Sequence, residues 1–273
     1  VRLGFVHACE QNHQRLSMVG GGSVVQLRSG KAVTNPLDPV FVFNFVFGVR
    51  TAFDLDTAAA AFRAAGRDYV HVLASPSSRA ELPAELERLG FRKAESQAYH
   101  RARGTGAGAP GLLELGPDRH EQFLEIYHSA WKVGGASPRD EAVRRRLQDP
   151  RTRAFRSADA GGVLLLFSDG PTTQLVHLAV AAAAQGRGAG RRMLELAPGL
   201  LPEGRPLWLF TELGGGGDAA ARGAQGWTPS HTADDWMLDL QDQAKVAGGA
   251  AASLRAKGPE HWSSTVWTTS ASP

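Results

Sequence analysis

One cysteine in 273 residues, Cys9, excludes an internal disulfide framework and any cysteine-rich metal site. It reads as a small buried hydrophobe. No apolar run approaches the ~20 residues that cross a bilayer, and no signal-peptide layout opens the sequence. The expectation is therefore a soluble, cytoplasmic protein without a membrane partner. Excess charge is scarce too: 30 basic against 27 acidic side chains leave a net charge of +3, too little to argue for nucleic acid. The nine histidines show no metal-ligand spacing. His120-Glu121 lacks a second histidine one turn on, and His128 is two turns away, so no metal is expected.

What is present is an alternation of strand-like and helical segments. Residues 1–18 are mixed and weakly helical. A turn at 19–22 precedes a strand at 23–28. Residues 39–49, β-branched and aromatic, read as a strand covered on both faces despite Asn44. A helix over 57–65 is capped by Asp54 or Asp56 and stopped by Gly66. A strand at 69–73, a helix over 79–89 capped by Ser78, and a strand at 91–101 complete the first half. Residues 104–111, four glycines with a proline among them, read as a linker.

The second half follows in the same style. A strand at 112–115 leads to a helix over 119–131, with Phe123, Ile126 and Tyr127 as its core stripe. A second helix starts at Ser137-Pro138, and strands follow at 152–157, 162–168 and 172–180. After a glycine-rich turn and its helix come a strand at 206–211, a short helix at 219–224 capped by Asp218, and a strand at 235–240. Both halves close with a helix, a Gly-aromatic pair (Gly90-Phe91, Gly226-Trp227) and a strand. One α+β unit present twice explains this most simply. The divisions are 1–103, a linker at 104–111, 112–241, and a poorly ordered tail at 242–273.

The most informative stretch is Gln185-Gly186-Arg187-Gly188-Ala189-Gly190-Arg191-Arg192. It joins a strand to a helix start, whose backbone N–H groups lack internal partners and carry the positive end of the helix dipole. Small residues admit a phosphate, and the arginines add permanently charged donors. A Walker loop is disfavoured because no Gly-Lys-Ser/Thr follows, and a dinucleotide fingerprint because its glycine register is not met.

Leu178-Ala179-Val180, followed by Gln185-Gly186-Arg187-Gly188-Ala189-Gly190, resembles the acetyl-CoA signature of the GCN5-related N-acetyltransferases, Gln/Arg-x-x-Gly-x-Gly/Ala. Val180, five residues before the glutamine, and the late Gly-aromatic pair fit as well. By element order the resemblance spans about residues 110–241, and the first half looks like a degenerate copy. The implied fold is α+β: two tandem domains, each a mixed, mostly antiparallel twisted sheet flanked by helices. In the first half the equivalent turn is residues 50–56, whose Asp54 and Asp56 would repel a pyrophosphate.

The resemblance implies an acyl-CoA-dependent N-acyltransferase, with acetyl-CoA or another acyl-CoA as cosubstrate and a small-molecule or peptide amine as acceptor. Backbone groups of Leu178 and Val180 would bond the pantetheine. Gln185, Gly186, Arg187, Gly188, Ala189, Gly190 and Arg191, with Arg192, would hold the pyrophosphate. Where many members carry a thiolate-protonating tyrosine this chain has Arg222, and Gly215 replaces a frequent asparagine. Arg222 can stabilise a thiolate but is a poor proton donor. Base candidates are His177 and Glu212, with His231 and Asp234 near the last strand. Glu212 and Asp234 together would suit a cationic amine. The alternative is a non-catalytic acyl-CoA-binding or scaffold protein with a decayed site. The assembly would be a monomer acting as an intramolecular pseudo-dimer, or a homodimer.

Overall fold

The computed structural model describes residues 3–49, 54–131 and 138–241; the tail assigned to 242–273 lies outside them. The chain opens with a full helix, α1 (Leu3–Val19), where the sequence suggests only weak helicity. Its buried residues, among them Val6, Cys9, His13 and Leu16, recur every three to four positions, as one helix face requires. Several of them are polar, which hides the stripe from a reading of hydrophobicity. These polar groups have partners. Glu10 accepts from the Ser75 and Ser77 hydroxyls at 2.5 and 2.6 Å, and His13 Nε2 lies 2.6 Å from the Val42 carbonyl oxygen.

A hairpin of β1 (Ser23–Gln26) and β2 (Lys31–Thr34) follows. Residues 39–49 do not form the single expected strand. They make a 3-10 turn at Phe41–Phe43 and a short β3 (Phe45–Phe47). Asn44 breaks the run: its amide donates to the Asp38 and Val40 carbonyls, and its Oδ1 accepts from the Asn35 N–H at 2.7 Å. Next come α2 (Leu55–Ala64), β4 (Tyr69–Ala74), α3 (Leu82–Arg88) and β5 (Arg92–Arg103). Ser78 does not cap α3; its N–H closes a turn onto the Ser75 carbonyl, and the helix starts later than expected.

Residues 104–111 form no regular element, yet they are bonded to the rest of the chain. The N–H groups of Gly104, Thr105, Gly106 and Gly108 donate to carbonyls of Arg205, Pro198, Leu201 and Gly199. A Cβ on Gly199 would stand 1.9 Å from the Gly108 oxygen, so glycine permits this backbone-on-backbone contact.

The second half comprises β6 (Leu112–Leu115), α4 (His120–Trp131), α5 (Pro138–Gln148), β7 (Thr152–Ser157), β8 (Gly162–Asp169) and β9 (Thr172–Val180). After them come α6 (Ala189–Leu196), β10 (Pro206–Glu212), α7 (Gly216–Gly223) and a long β11 (Thr228–Asp239). Gly215, not Asp218, caps α7.

All eleven strands form one sheet, in the order β1-β2-β3-β4-β11-β5-β10-β9-β8-β7-β6. Pairing is antiparallel except at β3–β4 and β9–β10, so the sheet is mixed and mostly antiparallel. The halves exchange their last strands. β5 pairs with β10 of the second half, β11 pairs with β4 of the first, and β5 and β11 pair with each other at the centre. Two buried histidine–aspartate pairs cross this seam. His71 Nε2 is 2.7 Å from Asp235 Oδ1, and His100 Nε2 is 2.8 Å from Asp218 Oδ1. Removing the aspartate of either pair would leave a buried histidine Nε2 without its partner.

Candidate functional site

The parallel strands β9 and β10 pair only at Leu207↔Thr173 and Trp208↔Gln174. Beyond that point β10 continues alongside β5 as far as Glu212↔Gln97, and β9 continues alongside β8, so the two separate towards their C-terminal ends. A register shift at Val176, between the pairs Leu166↔Leu175 and Leu165↔His177, accentuates the bend of β9.

Alternation along β9 then decides which groups face the opening. The Ala181 N–H bonds to the Gly161 carbonyl on the β8 side, so Ala179 also bonds towards β8. The N–H and C=O of Leu178 and Val180 therefore point away from β8, into the gap. The Val180 carbonyl confirms this direction by accepting from Gln185 Nε2 at 3.0 Å. That bond also folds the turn leaving the strand.

Gly186 and Gly188 both have φ of 75°. Nothing lies within 4 Å of a Cβ built on either, so backbone conformation alone calls for glycine there. As N-cap of α6, Gly188 brings no side chain to the helix start. The backbone N–H groups of 186–191 make no hydrogen bond within the described residues; the first internal bond is Arg192 N–H to the Gly188 carbonyl. Six consecutive donors at the positive end of a helix dipole form an anion cradle.

The nearby arginines differ in availability. Arg191 bonds Glu195 at 3.0 Å, and Arg192 reaches Asp159 at 3.8 Å and the Arg187 carbonyl. Arg187 is exposed and makes no ion pair among the described residues. At the end of α7, Arg222 Nε bonds Asp218 Oδ1 at 2.9 Å. Asp218 is buried and also holds His100 and the Gly214 N–H. Burial alone would raise its carboxyl, but the bonds to Arg222 and Gly214 leave it lowered.

The other sequence candidates lie apart from one another. His177 is buried on β9, with edge-on contacts to Tyr127 at 5.3 Å and Phe43 at 6.3 Å. Among the described residues its Nε2 has no partner. Burial, then the charges of Arg146 and Arg139, push the imidazole well below its ordinary value, so it is neutral and resists protonation. Glu212 is exposed at the open end of β10. His231 stacks on Tyr99 at 4.2 Å, and burial lowers it to about 4. Asp234 pairs with Lys93 and Ser96 near β4, away from the β9–β10 gap. Glu212 faces Gln97 and Asp234 faces Ser96 across β5, so the two carboxylates leave opposite faces of the sheet and do not share a cleft floor. Among the described residues no cluster of His, Cys, Asp or Glu is arranged to hold a metal, and no helix is long and apolar enough to cross a membrane.

Sequence reasoning passed over Asp218 as anything but a cap, although Asp218 and Arg222 are one helical turn apart, the spacing of an ion pair. Its bond to His100 spans 118 residues and left no local trace.

Neither a family model nor a curated protein matches the sequence. Solved structures do match its fold. A GCN5-related N-acetyltransferase from Kribbella flavida superposes with a TM-score of 0.59 at 17% identity, covering 89% of this chain and 98% of that one. A tandem protein of the same class from the clavulanic acid biosynthesis pathway gives 0.51 at 15%, covering 82% and 87%. The fold is that of the GCN5-related N-acetyltransferases, in tandem. A functionally unknown conserved protein from Staphylococcus epidermidis also shares it, with a TM-score of 0.55 at 11% identity over 80% of this chain and 94% of that one.

Proposed function

We propose that this protein is an acyl-CoA-dependent N-acyltransferase whose C-terminal half binds acetyl-CoA or a related acyl-CoA. The observation that carries this reading is the row of unbonded N–H groups at 186–191, set where β9 and β10 have separated. These donors suit a pyrophosphate, with Arg187 beside them. The outward-facing groups of Leu178 and Val180 suit the amides of a pantetheine arm lying in the gap like an extra strand.

The acyl-CoA supplies the thioester: the amine nitrogen bonds the acyl carbon, the C–S bond breaks, nitrogen loses a proton and sulfur gains one. The chain's own groups orient and stabilise. Outward-facing β9 N–H groups near the bend can polarise an acyl oxygen. Arg222, held by Asp218, is the candidate cation for a departing thiolate. Glu212 is exposed at the gap's end and is free to take a proton directly or through water. His177 serves as a neutral hydrogen-bonding group, because its surroundings oppose the imidazolium. The exchanged strands favour an intramolecular pseudo-dimer.

Calorimetric titration with acetyl-CoA tests the binding claim. Saturable binding is expected, and none at ~1 mM, which corresponds to about 4 kcal/mol, would contradict it. A second reading, a non-catalytic acyl-CoA binder, is favoured by the commitment of Arg222 to Asp218 and the neutrality of His177. Thiol release over a panel of amines separates the two: release that depends on both amine and acetyl-CoA supports catalysis.

A further inference from the structure

Just past the last parallel pair of β9 and β10, Trp208↔Gln174, lies a small cavity walled by both halves of the chain. Phe210 lines it from β10, and Val176 and His177 line it from β9. The register shift at Val176 is what lets two consecutive residues of one strand face the same space. The first half supplies His13 from α1, with Val42 and Phe43 from the 3-10 turn. Together these side chains leave space for about one water molecule.

The wall from the first half is fixed in place. Phe43 is only 5% exposed, with the Arg146 guanidinium 3.8 Å from its ring centroid and the His13 ring stacked on it at 5.6 Å. Arg146 is itself fully buried and bonds Asp38 at 2.8 Å. The next residue, Asn44, is tied to Asn35, Asp38 and Val40. Moving Phe43 aside would break both ring contacts in a close-packed interior.

The two ends of the gap set the direction of a bound cosubstrate. The open cradle at 186–191 follows the C-terminal end of β9, whereas the strands close at Trp208↔Gln174. An arm held by its pyrophosphate at the cradle and lying between the strands carries its thioester towards the closed end. There Val176, Phe210 and Phe43 meet.

We propose that this cavity takes the alkyl end of the acyl group and admits an acetyl group but no longer chain, with Phe43 of the N-terminal half as its back wall. A methyl group is close to a water molecule in size, so an acetyl group displaces no side chain. Each further methylene pushes into packed core, where overfilling is costly. The half that lacks the glycine turn thus sets the acyl length used by the half that has it.

The inference rests on the acyl-CoA reading, and its test separates the two. CoA, acetyl-CoA, butyryl-CoA and octanoyl-CoA are titrated calorimetrically into the protein with no amine present. Acetyl-CoA should bind at least as tightly as CoA, and both longer thioesters at least about ten-fold more weakly than acetyl-CoA. Phe43→Leu and, from β9, Val176→Ala should each improve butyryl-CoA binding about three-fold or more, with CoA affinity unchanged. Butyryl-CoA or octanoyl-CoA binding the unaltered protein as tightly as acetyl-CoA would overturn the proposal. So would variants that bind CoA normally yet keep the full penalty on butyryl-CoA. Failure of CoA itself to bind would instead overturn the reading beneath it.

Discussion

At the start of α2, Asp54 turns its carboxylate back onto the Thr57 N–H and hydroxyl, at 3.2 and 2.9 Å, and closes the helix end. At the corresponding start of α6, Gly188 leaves the end open and the N–H groups of 186–191 unbonded. One half satisfies its helix start internally, and the other leaves it open, as the proposed phosphate site requires. The same divergence recurs across the exchanged strands. His71 faces Met237 and bonds Asp235, two residues before it. At the matching register Trp208 faces Arg101 and stacks on Tyr99, two residues before that, at 5.9 Å. A polar pair in one half is an aromatic pair in the other. The backbone frame is shared by the two halves, while the open helix start belongs to the second alone.

The seam between the halves gives the largest expected effect. Asp235→Leu leaves His71 Nε2 without its buried partner and should cost about 3–5 kcal/mol in urea unfolding. Adding His71→Leu should restore part of that, because the histidine is then gone as well, while Gln97 still lacks the Asp235 carboxylate. If the double variant is no more stable than the single one, the pair is not coupled as described.

Acidification should weaken the contact of α1 with both halves. Burial, the largest influence, lowers His13 from its ordinary 6.5 to about 4. The unfolded chain therefore binds a proton between those values that the folded one refuses. Stability is complete above pH 6.5 and falls as pH drops towards 4, by up to about 3 kcal/mol from this residue. Urea midpoints from pH 7 to 4.5 check this, and His13→Gln should flatten the slope.

A charge at the open helix start comes next in size. Gly188→Asp places a negative charge in the cradle, although at a φ of 75° it cannot close α6 as Asp54 closes α2. Acetyl-CoA affinity should fall roughly 100-fold, about 2.7 kcal/mol, with the far-ultraviolet spectrum unchanged. Unaltered affinity would show that the turn is not the phosphate site. Smallest is the reverse lesion: Asp54→Ala should lower the urea midpoint slightly and leave acetyl-CoA affinity untouched.

What the sequence disclosed followed from how local the cause was. Gly186 and Gly188 are required by their own φ, so the strand-to-turn-to-helix reading needed no distant contact. The tandem order of elements was equally visible in the two Gly-aromatic pairs. The helix α1 was obscured because Glu10, Asn12 and His13 are buried for partners far along the chain. Asn44 ended the strand at 39–49 through bonds to Asn35 and Asp38 that its apolar neighbours gave no reason to expect. The strand exchange joins residues more than a hundred positions apart, and no periodicity encodes it. The same applies to chemistry. His177 was identifiable as a candidate base, but only packing against Tyr127 and Phe43, near two arginines, shows that it stays neutral.

Backbone amide resonances followed while CoA is added test the asymmetry between the halves most directly. The amides of Gly186, Gly188 and Gly190 should shift strongly and saturate together, while those of Thr57 and Ala58 at the capped start of α2 stay in place. Shifts centred on the start of α2, or none at 186–191 at saturating CoA, would contradict the assignment of the phosphate site to the C-terminal half.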